Sequence, residues 1–255
     1  MDERKRVVVA VPFFDSKENR RHYRATYPTL NILKDVLDPR HIIFPVDNGS
    51  TDDRTWQWLN DTRPFEHFTR IDEPQSIAYG VNAAWHPFHD DLMAGSILAL
   101  KYDSDIWINP SIHDAIEMLA KLDEIDPSVG LAGIAYNTHD YSDKNPADVR
   151  KKYFYYRFIY GAVSLRTSAG FRAIGYCKNP HGRWGYQDLW DSFRTSKAGL
   201  KKAVLRGYAF RQITGTGSLL AHEKDEIKDA GHKALIQLQR EVNKGKRPIF
   251  QEAFE

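Results

Sequence analysis

The sequence predicts a single α/β domain with a mostly parallel central sheet flanked by helices. Two observations carry that reading. Apolar runs of strand length alternate with stretches of helical period, the order that parallel strands and crossover helices require. Three of the strand-like runs also end on or beside an acid, namely Asp15, Asp47 and Asp103. Open α/β sheets bind ligands beyond the carboxyl ends of their strands, so these acids mark one edge for attention.

The elements follow in order. Val7-Val8-Val9-Ala10-Val11 is a continuous run of the kind that parallel strands, buried on both faces, display. Residues 18–37 have helical spacing interrupted by Pro28. Residues 41–46 form a second apolar strand ending at Asp47, and 53–59 read as a short helix capped by Ser50, Thr51 or Asp52. Residues 68–71 predict a strand, 77–85 a helix, 96–102 a fourth strand and 110–122 an amphipathic helix. The second half is less regular. Strands are expected at 129–136 and 203–210, a polar loop at 138–152, an aromatic then small-residue stretch at 153–164, and helices at 188–198 and 230–244. The expected division is a domain over 1–222, with a first half at about 1–110 and a second half at about 111–222, then a helix and tail over 223–255.

A chain of 255 residues, 42% hydrophobic, is long enough to bury a core without covalent staples. Its single cysteine, Cys177, rules out an internal disulfide and suits a reducing compartment. The apolar run at 7–14 is broken by Pro12, and no stretch reaches the roughly 20 apolar residues of a spanning helix. The expectation is a cytoplasmic protein without a signal peptide, with peripheral contact to a membrane surface if its partner lies there. The net charge is only +2, but residues 144–211 hold 15 Lys and Arg against three acids. That segment carries +12 and the rest of the chain −10. Such a block is either a site for an anionic partner or a solvated face paired with acids elsewhere.

Three local patterns carry chemistry. In Asp47-Asn48-Gly49-Ser50-Thr51-Asp52, Gly49 permits a tight turn off the strand and Asp47 is left where it can accept hydrogen bonds from a ligand. It reads equally as an ordinary strand–turn–helix junction. In Tyr102-Asp103-Ser104-Asp105, two carboxylates two residues apart can converge on a hard cation, or form a polar turn. In Gly185-Tyr186-Gln187-Asp188, Asp188 opens a helix, as a favoured first-turn carboxylate or as a general base.

Taken together, these segments resemble the family 2 glycosyltransferases, which have the GT-A (Rossmann-like) fold. The strand at 7–12, the stretches at 47–52, 103–105 and 185–188, and two supporting segments at 77–84 and 161–166 come in that family's order over roughly residues 6–222. The resemblance implies a glycosyltransferase that moves a sugar from a nucleotide-sugar donor, UDP-linked by preference, with Mn2+ or Mg2+ and inversion at the anomeric carbon. It implies that Pro12, Phe13 and Phe14 line the nucleotide pocket and that Asp47, Asn48, Asn82 and Asp103 contact the donor. Asp103 and Asp105 would hold the metal, completed by His222, and Asp188 would be the catalytic base. On its own, His222 reads equally as a structural histidine, and His232 is the second choice of ligand. The chain departs from the family at Gln187, where Glu is usual, at Trp190, where many members have Asp, and at Val81, where many have Arg.

The family's second half meets the acceptor, and here that half is the basic block. Its aromatics, such as Tyr153, Phe154, Tyr155, Tyr156, Trp184 and Tyr186, lie among Lys and Arg. The pattern suits an acidic glycan, a lipid-linked phosphate or nucleic acid. DNA with hydroxylated bases is one alternative acceptor, reached by base flipping. A binding-only domain that has lost catalysis is the other alternative.

Overall fold

The computed structural model describes residues 5–17, 22–135, 153–156, 159, 161–178 and 187–213. The expected loop at 138–152, helix at 230–244, tail and His222 lie outside these residues.

Among the described residues a nine-stranded sheet forms the body of the protein. Its first half contains β1 (Arg6–Phe13), β2 (Ile42–Asn48), β3 (Thr69–Ile71) and β4 (Ile97–Tyr102), in the order β3-β2-β1-β4 and all parallel. The second half adds β5 (Ile106–Asn109), β6 (Val129–Ala135), β7 (Tyr153–Tyr155), β8 (Val163–Arg166) and β9 (Lys201–Gln212). There β8 runs antiparallel between β4 and β6, β6 pairs parallel with β9, and β9 takes both β5 and β7 antiparallel. The parallel character read from the sequence therefore resides in the first half, and the sheet continues as a mixed one.

Helices α1 (Tyr27–Val36), α2 (Arg54–Thr62), α3 (Ile77–Trp85), α4 (His89–Ala94), α5 (Ile112–Ile125), α6 (Ser168–Ile174) and α7 (Gln187–Lys197) cover the sheet. Pro28 lies in the first turn of α1, where its missing N–H is not needed, and the chain enters through a π-helical turn at His22–Thr26. The expected Pro28 interruption is thus a helix start. Strand β5 and helix α4 were not legible: β5 has only four residues alternating buried and exposed, and α4 only six.

β1 explains the core. Val7, Val9, Val11 and Phe13 pack into the larger cluster with Leu30 and Leu33 of α1 and Ile116 and Leu119 of α5. Val8 and Ala10 face the other way, onto Ala78, Val81 and Trp85 of α3 and Phe171 of α6. Period-two alternation sends both sets of side chains into protein, so no polar position survives in the run. β4 follows the same rule. Leu98, Leu100 and Tyr102 join the first cluster and Ile97 and Ala99 the second.

Asp15 closes the carboxyl end of β1. Its fully buried carboxylate accepts hydrogen bonds from Thr26 (2.6 Å) and Thr55, while its backbone carbonyl accepts from the Thr51 and Asp52 N–H groups and its N–H donates to Ser50 Oγ. Ser50 is therefore committed to β1 rather than to capping α2, and Asp53 occupies the cap position without a side-chain capping bond. Asp15→Ala is expected to strand two buried hydroxyls and lower unfolding free energy by about 3 kcal/mol in urea titrations. A change under roughly 0.5 kcal/mol would place the hub's strength in its backbone bonds alone.

Candidate functional site

The three acids noted in the sequence do gather along one edge, because β1, β2 and β4 run parallel. In the ladder Phe13 lies beside Asp47, and Asp47 beside Arg70 of β3. Asp47 is completely buried. Its Oδ1 accepts the Ser50 N–H at 2.9 Å, and Arg70 Nε lies 3.3 Å from Oδ2. Oδ2 has no hydrogen-bond partner among the described residues. Burial pushes this carboxyl above its ordinary range, against the Ser50 bonds and the Arg70 charge. Arg70 also reaches Ser50 O and Asp53, so it braces the whole turn.

Two asparagines hold loops to this edge. Asn48 exchanges both amide bonds with the Gln75 backbone, at 2.9 and 3.0 Å. Asn82 does the same with the Cys177 backbone, at 2.9 Å each. Gly49, at φ 73°, completes the turn, since a Cβ there would fall 2.5 Å from Pro74 N. Pro12 is buried on the α3 side, Phe13 belongs to the main core, and Phe14 is half-buried. Phe13 thus serves packing first. Val81, where the resembled family often has Arg, is fully buried in the α3 packing.

The strand end of β4 carries the second group. Asp103 N–H bonds Ala162 O at 2.9 Å, extending the β4–β8 ladder by one residue. Asp103 Oδ1 receives the Lys101 ammonium at 2.5 Å, and the same ammonium donates to Gly161 O. Gly161 N–H in turn donates to Asp188 Oδ2 at 3.2 Å, and the Leu189 N–H to Asp188 Oδ1 at 2.9 Å. A Cβ on Gly161 would come 2.9 Å from the Asp188 Cβ, so only glycine allows this approach. Burial pushes the Asp188 carboxyl up from its ordinary 3.8, opposed by the Leu189 bond, the Lys101 charge and the Gly161 bond. Asp105 is buried, and its carbonyl accepts Ile213 N–H at 2.8 Å. Asp103, Lys101, Gly161 and Asp188 therefore form one connected group. Lys101 was missed in the sequence, yet it is the one charged side chain in an apolar strand run, and that was its signal.

α7 is oriented by a buried polar cluster. Arg166 donates to Asp191 (2.5 Å), to Cys177 Sγ (3.2 Å) and to Gly175 O, and lies over the Trp85 ring. Gln187 donates to the same Asp191 oxygen at 2.9 Å and to Cys177 Sγ. Gln187 is thus a buried donor, and its amide suits a neighbour that is already a carboxylate. Phe154 and Tyr156 are partly buried against Leu131, Ile159 and Val204, and Arg206 lies over Phe154. Trp190 stacks on Phe193. Lys151, Lys152, Arg157, Arg183, Trp184 and Tyr186 of the basic block lie outside the described residues.

Among the described residues no group of three His, Cys, Asp or Glu is gathered for a metal. A magnesium-like ion needs only one or two protein carboxylates when substrate phosphates complete its shell. Asp103 and Asp105 supply such oxygen donors, and Asp103 stays 27% exposed beside Lys101, so the residues present fit a hard divalent cation.

The fold is of the GT-A glycosyltransferase type. No protein-family model and no curated protein sequence matches the chain. Solved structures do. A mannosyltransferase from Pyrobaculum calidifontis, in complex with GDP-Man and Mn2+, matches with TM-score 0.63 and 18% identity over 96% of this chain and 66% of that one. GalNAc-T7 with UDP, GalNAc and Mn2+ matches at 0.59 and 10% identity over 83% and 44%. S. aureus TarS in complex with UDP-GlcNAc matches at 0.55 and 15% over 85% and 62%. The chain therefore spans less than two-thirds of each of these proteins, and at such identities the likeness is one of fold.

Cys177 reports on the loop that Asn82 clamps. Burial pushes its thiol up to about 12, against the Arg166 charge. At about pH 8 a thiol reagent is expected to leave it unmodified until the protein unfolds, because the thiolate is the reactive form. Asn82→Ala is expected to raise the native rate. Rapid labelling of the unaltered protein would contradict the clamped loop.

Proposed function

We propose that this protein is a metal-dependent glycosyltransferase that transfers a sugar from a nucleoside-diphosphate sugar, UDP-linked by preference, to an acceptor hydroxyl. The observation that carries this reading is the joining of Asp103 to Asp188 through Lys101 and Gly161 at the strand-end edge of a GT-A fold. A donor-side carboxylate and a candidate base belong to one structural unit there. The buried Asp47, whose Oδ2 keeps an unfilled acceptor position, supports a contact to the nucleoside.

Asp188 is the proposed base. Two main-chain N–H groups fix its carboxylate, and its raised affinity for a proton suits it to take one from a hydroxyl. The acceptor oxygen then attacks the anomeric carbon, the bond to the diphosphate oxygen breaks with its electron pair, and the proton remains on Asp188. No nucleophile needs to come from the protein, so a single displacement with inversion follows. A divalent cation held by Asp103 and Asp105, with His222 as the proposed third ligand, would supply positive charge for the departing diphosphate. Pro12, Phe14 and Asp47 are proposed to hold the nucleotide, while Asn48 and Asn82 set the loops around it. The exposed cations Lys178 and Arg211 support an anionic acceptor.

The test is release of nucleoside diphosphate from a panel of nucleotide sugars with Mn2+ or Mg2+. Asp188→Asn is expected to lower acceptor-dependent turnover by roughly 100-fold to 10,000-fold with the fold retained. Asp105→Ala and chelation are expected to abolish release. Asp188 must be ionised to act, so turnover is expected to rise with pH through a pKa above 3.8 and to fall on the acid side of it. Full turnover by Asp188→Asn, or indifference to chelator, would contradict the assignment. Added salt is expected to slow transfer to a polyanionic acceptor but not donor hydrolysis.

A further inference from the structure

Lys101 takes no chemical step in the scheme above, yet its placement is unusual. It is 2% exposed and sits on β4, on the face that Ile97 and Ala99 share with α3 and α6. A lysine is seldom buried unless it is paired. Its ammonium contacts Asp103 Oδ1 at 2.5 Å and Gly161 O, and its charge reaches Asp188. Gly161 is the pivot. Its carbonyl accepts from Lys101 while its N–H donates to Asp188, so one residue's main chain carries both contacts. The next residue, Ala162, accepts the Asp103 N–H. Both carboxylates are thus fastened to one two-residue stretch of main chain, by charge on one side and by hydrogen bonds on the other.

We infer that Lys101 is a positioning residue: a buried cationic strut that holds the Asp103 turn and the Gly161 main chain in register, and so fixes Asp188 for the transfer reaction. Asp103 and Asp188 both meet the Gly161–Ala162 stretch, Asp103 through Lys101 and Asp188 through the Gly161 N–H. Lys101 fastens one Asp103 oxygen without covering the carboxylate, which is still 27% exposed. A lysine that only stabilised the strand would be satisfied by Asp103 alone, whereas this one also ties the base loop through Gly161. This inference rests on the glycosyltransferase reading for its functional consequence but not for its structural one.

Lys101→Met keeps the stem and removes the charge, and Lys101→Arg keeps a charge. Both are examined by nucleoside diphosphate release and by amide hydrogen exchange on the metal-free, nucleotide-free protein. Lys101→Met is expected to lower kcat on the order of 100-fold with donor KM little changed, and Lys101→Arg to recover much of that loss. In exchange, Lys101→Met is expected to speed the amides of 161–163 and 187–190 while β1 and β2 stay protected. Wild-type kcat in Lys101→Met, or exchange that rises uniformly across the sheet, overturns the proposal. If the unaltered protein releases no diphosphate from any donor, the transferase reading fails. The exchange pattern then decides the strut alone: local acceleration supports it and an unchanged pattern overturns it. Should Lys101→Met not fold, Lys101→Arg decides by the same two readouts. Wild-type kcat together with unchanged exchange would then show that charge suffices, and lowered kcat with faster exchange at 161–163 that the strut's geometry matters. Lowered kcat with exchange unchanged at 161–163 would overturn it.

Discussion

The antiparallel seam between β4 and β8 is the constraint on which the rest depends. β4 is the last strand of the parallel first half, and β8 is the strand through which the mixed second half attaches. Their ladder pairs Tyr102 with Val163, and its extension brings Asp103 against Ala162. A one-residue slip would turn every side chain of β8 to the other face and take Gly161 away from Asp188. Buried Leu100 and Leu165 lie opposite each other in that ladder and both belong to the main core, so hydrophobic packing fixes the register. Fold stability and site geometry are set by the same contact.

Around the seam, polar groups are buried for orientation rather than for stability. Arg166 and Asp191 form a buried ion pair, which by itself contributes little net stability after desolvation. With Gln187, Cys177 and Arg194 added, the cluster fixes α7 rotationally, and Asp188 rides on that helix. Asp15 and Asn48 act similarly at the ends of β1 and β2, and Asn82 ties the Cys177 loop to α3. The departures from the resembled family have physical readings within this frame. Gln187 donates to a carboxylate where Glu would add a second negative charge. Val81 fills core beneath α3. Trp190 lies on the less buried side of α7, stacked on Phe193, away from the cluster.

How much of this could be read from the sequence varied with the physics involved. Parallel strands buried on both faces leave an unbroken apolar signature, so β1, β2 and β4 were legible within a residue or two, as was α3 at 77–85. Short elements such as β5 and α4 carry too few residues for a period to show. The acids at strand ends were legible because parallel strands put their carboxyl ends on one edge. What each acid does was not. Asp15 and Asp47 look alike in the sequence, yet Asp15 is satisfied by Thr26 and Thr55 while Asp47 Oδ2, beside Arg70, takes no hydrogen bond among the described residues. Phe13 was placed in the pocket by analogy, but alternation along β1 sends it to the core. Contacts between residues far apart in the chain, such as Lys101 with Gly161 or Arg166 with Asp191, leave no local pattern at all. Only the oddity of a lysine in an apolar strand hinted at the first.

The central claim is that a nucleoside diphosphate and its metal sit at the carboxyl ends of β1, β2 and β4. The most direct measurement is amide hydrogen exchange with and without UDP or GDP and Mn2+, resolved by peptide. The account predicts protection concentrated at residues 12–15, 47–50 and 102–105, with a smaller effect at 161–163 and little at the opposite edge near Asp126 and Lys201. Protection centred on that opposite edge, or no protection by either nucleotide at millimolar concentration, would contradict it.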